Sequence, residues 1–152
     1  MADYTTDSSF EVTGLTAEET AWLQRAEYLI EAAGYLDDDP PADELAELMT
    51  HMGWDKPPDQ DTSWGWTSYY DGDTVAFYAD CGQCNVEYMA EVLHRFLNMF
   101  PNRPPIGFMW ADACSKPRIG SFGGGAVLVT RDGSEFHTTG QWLDAALTRS
   151  ST

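Results

Sequence analysis

Two short turn sequences set the tightest limits on what this chain can fold into. Asp71-Gly72-Asp73 joins two aromatic and β-branched runs, 66–70 and 74–79, and Arg131-Asp132-Gly133 joins the runs 126–130 and 134–138. Asp-Gly between such runs signals a tight hairpin, because Gly supplies the positive φ that the reversal requires. Each turn commits its strands to antiparallel pairing. Residues 106–114 read as a further strand, and Phe10-Glu11-Val12 as a short one.

Helices punctuate these strands with their own start signals. Thr16-Ala17-Glu18-Glu19 is a capping box, in which the Thr16 hydroxyl and the Glu19 carboxylate each satisfy a free backbone N–H. Trp22, Ala26, Leu29, Ile30 and Ala33 then recur at helical spacing up to Gly34, with Gln24, Glu27 and Glu31 on the opposite face. A second helix buries Leu45, Leu48, Met49 and Met52 and ends at Gly53. Asn85 caps a third, with Val86, Met89, Leu93, Phe96, Leu97 and Phe100 as its apolar stripe, and a last short helix carries Trp142, Leu143, Ala146 and Leu147. The order β-α-α-β-β-α-β-β-β-α predicts an α+β fold, a largely antiparallel sheet with helices packed on one face. Its β-α-β-β-α-β stretch from Phe10 to Cys114 fits a ferredoxin-like core with a hairpin and helix appended. Residues 1–8 read as a loose tail and 9–152 as one domain, whose part 16–53 is helical and acidic.

Charge narrows the partners. The formal net charge is −17, and the first 61 residues hold sixteen acids against Arg25 and Lys56. Residues 62–152 are near balance, with nine acids and six bases. Such a face repels nucleic acid and anionic membranes and attracts basic surfaces. Glu27, Glu31, Asp37, Asp38, Asp39, Asp43, Glu44 and Glu47 are the carboxylates expected to meet a basic partner, with Trp54 and Trp64 as aromatic anchors. Two acidic helices side by side approach the charge density of a DNA strand, about one charge per 3.4 Å. The expected function is therefore non-enzymatic: a nucleic-acid mimic occupying a basic surface of another protein. The plainer alternative is an ordinary solvated face.

Three cysteines and no secretory signal predict reduced thiols in a cytoplasmic setting, and no stretch is long enough to span a bilayer. Cys81 and Cys84 form a Cys-Gly-x-Cys turn between a strand and a helix. This strand–turn–helix segment resembles the active-site segment of thioredoxin-like oxidoreductases. The resemblance implies Cys81 as attacking thiolate and Cys84 as resolving thiol, although Gly123-Gly124-Gly125 stands where that family places a cis proline and no Trp directly precedes Cys81. A zinc site would instead use Cys81, Cys84 and Cys114 with a histidine. Otherwise no cofactor is expected.

Lys116 and Arg118 lie beside Gly123, Gly124 and Gly125, a pattern that reads either as an anion-binding loop or as a bulged, closely packed strand. The surrounding segment, Trp110-Ala111, Cys114-Ser115-Lys116-Pro117-Arg118, Gly120 and Phe122 to Ala126, resembles a stretch of small uncharacterised proteins encoded in bacterial genomes, phages and mobile elements. It implies no reaction. A phage or mobile-element setting would make the acidic protein an inhibitor of a host defence complex.

Overall fold

A computed structural model of the chain describes residues 3–34, 42–59, 62–116 and 118–151. The elements follow in the order β1 (Tyr4–Asp7), β2 (Ser9–Val12), α1 (Ala17–Ala33), α2 (Ala42–Met52), β3 (Trp66–Asp71), β4 (Thr74–Ala79), α3 (Val86–Met99), β5 (Ile106–Cys114), β6 (Gly123–Thr130), β7 (Gly133–Thr138) and α4 (Thr139–Ser150). The fold is α+β. The predicted helix signals hold: Glu19 N–H donates to the Thr16 hydroxyl, Thr16 N–H to Glu19, and Tyr88 N–H to the Asn85 side chain.

The strands form two antiparallel sheets rather than one. The first runs β1-β5-β6-β7 and the second β2-β4-β3. A ferredoxin-like core needs its four strands in a single sheet, and here β5 leaves β2, β3 and β4 to pair with β1 and β6. The supposed tail supplies the reason. Tyr4–Asp7 pairs with Ala111–Cys114 along β5, and the Thr6 hydroxyl donates to Asp112 at 2.8 Å. After Ser8 the chain crosses into the second sheet as β2.

The sheets meet at an aromatic seam. Phe10 of β2 stacks on Phe108 of β5 with ring centroids 4.6 Å apart, and Trp66 meets Phe108 edge-on at 5.7 Å. α3 lies against the first sheet's inner face and α1, burying Met89, Leu93, Phe96 and Leu97. Each such side chain contributes about 1.5–3 kcal/mol when fully withdrawn from water. α4 behaves differently. None of its residues is buried, and Trp142, Leu143 and Leu147 are exposed.

Candidate functional site

The predicted acidic face is only partly assembled. Glu31, Asp43 and Glu47 are exposed, Glu44 is half-buried, and Asp37, Asp38 and Asp39 lie outside the described residues. Glu47 pairs with Arg25, and both side chains remain largely in solvent. Glu27 turns inward: the hydroxyls of Ser68 and Tyr70 donate to its carboxylate at 2.5 and 2.6 Å. Burial raises the Glu27 carboxyl above its ordinary range despite those two bonds. It ties α1 to β3 and is withdrawn from the surface.

The two tryptophans expected as anchors belong to the core. Trp64 is buried against Tyr88 and Trp66, and Trp54 is half-buried against Tyr88. Their aromatic density is packing.

The surroundings of Cys81 and Cys84 favour the thiol over the thiolate. Cys81 is exposed, but its Sγ–H bonds the Asp80 carboxylate, which raises its pKa. Cys84 is buried, and desolvation, then the charge of Asp7 and that of Asp112, push its thiol up to about 11. An attacking thiolate needs the opposite field. Cys84 donates instead to the Thr6 carbonyl. Iodoacetamide at mildly alkaline pH is expected to label Cys81 about ten-fold faster than Cys84, because burial both shields Cys84 and raises its thiol; equal rates would place Cys84 in solvent. Among the described residues no group of three or more His, Cys, Asp or Glu is close enough to hold a metal ion, so Cys81, Cys84 and Cys114 are not brought together as a zinc set.

Two of the three glycines are closely packed. Gly124 has φ +133°, and a Cβ there would drive into the Trp110 carbonyl; a Cβ on Gly125 would meet the His137 carbonyl and, at 3.0 Å, the Trp110 ring. Neighbouring strands therefore approach β6 closely, as an in-strand glycine run allows. Lys116 and Arg118 are exposed, with Arg118 reaching the Tyr4 hydroxyl at 3.5 Å.

Beside these strands lies a cleft of about 550 Å³ between the first sheet, the start of α3 and the start of α4. Strand alternation puts Trp110 and Asp112 on one face of β5, and Gly125 lies across from Trp110 in β6. Trp110 meets Phe136 of β7 edge-on at 6.2 Å, forming an aromatic wall. Cys84, Asn85 and Glu87, at the start of α3, form the facing wall, and Gln141 of α4 contributes one end. Thr6 fixes one Asp112 oxygen. Trp110 and Asp112 stand in the segment that the sequence marks as unusual, and their period-two spacing on β5, rather than Lys116 and Arg118, points to the cleft.

No family model, curated protein or solved structure matches the chain. Its own residues carry the functional argument. No described helix is long and apolar enough to cross a membrane.

Proposed function

We propose that this chain is a non-enzymatic binding protein that docks on a basic surface of another macromolecule, of the kind that otherwise grips nucleic acid. The observation that carries this reading is uncompensated surface charge. Of the 21 described Asp and Glu residues, 17 are exposed. Of the eight bases in the chain, Arg103 is spent on buried Glu19 and Arg25 on Glu47. Acids outnumber bases even locally: Asp59, Glu87 and Glu91 line one groove with a single lysine, Lys56, and burial and then the Glu87 charge raise the Glu91 carboxyl. A face that repels itself this strongly gains most from a cationic partner.

The test is capture of a partner at low and high salt, beside an unrelated protein of equal charge. A partner held by this chain, absent from the control and released by salt, is expected. Reversing Glu31, Asp43 and Glu47 to Lys should weaken its binding by about ten-fold or more, since exposed charges steer and hold such complexes. Undiminished binding by that triple variant would overturn the reading.

A further inference from the structure

We propose that the cleft between the first sheet and the start of α3 receives a guanidinium group, presented as an arginine side chain of the basic partner. This rests on the reading above that the partner is basic, and it names the point of attachment. Among the residues lining the cleft are the carboxylates of Asp112 and Glu87, and none is Lys, Arg or His. An anion would find no counter-charge there. At the start of α3 the Tyr88 N–H is taken by the Asn85 side chain.

Asp112 is the centre of the site. One carboxylate oxygen accepts from the Thr6 hydroxyl at 2.8 Å, which orients the group. The other has no hydrogen-bond partner among the described residues, and Asp112 makes no ion pair among them. It is half-buried, so water screens it less than the acids of the outer surface. Trp110 stands two residues before it on the same strand face, with Phe136 set edge-on to Trp110. A planar cation can stack on an aromatic face while donating to a carboxylate, and guanidinium does both where ammonium does only the second well. The cleft volume of about 550 Å³ holds an arginine side chain together with some of its flanking main chain.

The probe is the peptide acetyl-Gly-Arg-Gly-amide, titrated into the ¹⁵N-labelled full chain while the Trp110 indole N–H resonance is followed. A saturable shift is expected, with the lysine counterpart at least about five-fold weaker. Asp112→Asn keeps an acceptor for Thr6, so the variant should melt with the wild type while binding the arginine peptide about ten-fold more weakly. An unsaturated response, or equal binding by wild type and D112N, would overturn the proposal. Agmatine binding more tightly than the peptide would overturn the partner side chain as the source and put a small guanidinium compound in its place. D112N removes a single charge, so partner capture lost in the triple reversal but intact in D112N would sink the cleft and leave the basic-partner reading standing. Wild-type chain that captures no partner would sink that reading, and the peptide titration would still decide the cleft's chemistry.

Discussion

Replacing Arg103 with Ala is expected to lower the unfolding free energy by about 3–5 kcal/mol at neutral pH, because it strands a buried carboxylate. Glu19 is 5 % exposed, and its ion pair with the Arg103 Nε is the one salt bridge among the described residues with both side chains largely buried. The same guanidinium donates to the Thr13 carbonyl at 2.8 Å and lies 5.7 Å from the centre of the Phe96 ring. Losing it therefore removes a counter-charge, a loop tie and a cation–π contact together. Urea unfolding with an unchanged m-value would measure the loss.

The pH dependence separates charge from packing. Burial alone would push the Glu19 carboxyl up, but the Thr16 N–H, the Arg103 guanidinium and the Thr16 hydroxyl together outweigh it and hold the pKa below the ordinary range. A depressed carboxyl contributes stability above the unfolded-state pKa of about 4.3 and loses it as pH falls through the lower folded value. In Arg103→Ala burial dominates and the carboxyl rises. The stability gap between the two proteins should then shrink as pH falls from the variant's raised carboxyl pKa through the wild type's lowered one, and close only where Glu19 is protonated in both. A gap of equal size at pH 3 and pH 7 would show that packing carries the effect. The double variant Glu19→Gln, Arg103→Met should be less damaged than Arg103→Ala alone, since neither charge is then left buried.

Phe96→Ala is expected to cost about 3–5 kcal/mol, the range for deleting a fully buried aromatic side chain. Phe96 is 0 % exposed, with Trp22 of α1 at 5.7 Å and Phe100 at 5.2 Å between ring centroids. The ring is where α3 meets α1, so the cavity would open between elements that cannot collapse independently. Because Phe96 and Arg103 are in contact, their losses should not add. A double-mutant cycle is expected to show the pair less destabilised than the sum, and strict additivity would mean the cation–π contact contributes nothing.

Local signals in this chain were legible wherever the physics is local. Thr16 and Asn85 cap helices, Gly72 turns a hairpin, and Leu48, Met89 and Phe96 are buried on the helix faces their spacing assigns. What depends on contact across long sequence separation was not legible. Tyr4-Thr5-Thr6 has strand-favouring residues but is too short to announce a strand until Thr6 meets Asp112, 106 residues away. The same pairing draws β5 out of a single sheet and opens the cleft. Glu27 looked like a surface acid because helical spacing cannot see Ser68 and Tyr70 arriving from β3. Trp64 carries an aromatic signature shared by interfaces and cores, and only three-dimensional packing distinguishes them. The triple glycine is compatible with either a loop or a close backbone approach, and the close packing of Gly125 against the Trp110 ring depends on the neighbouring strand.

The exposed helix α4 sets a clock on the cleft. Its twelve residues are held at the start by the Thr138 cap and by the Thr139 hydroxyl on the Gly124 carbonyl at 3.1 Å, and none is buried further along. A helix of that length has little stability of its own in water. Its amide protons should exchange with deuterium through local opening, at a free energy far below that for unfolding the body. Gln141 closes one end of the cleft, so each opening of α4 also opens the site. Occupancy of the cleft is thus readable as slowed exchange in residues 141–149, with α3 unchanged as the internal reference.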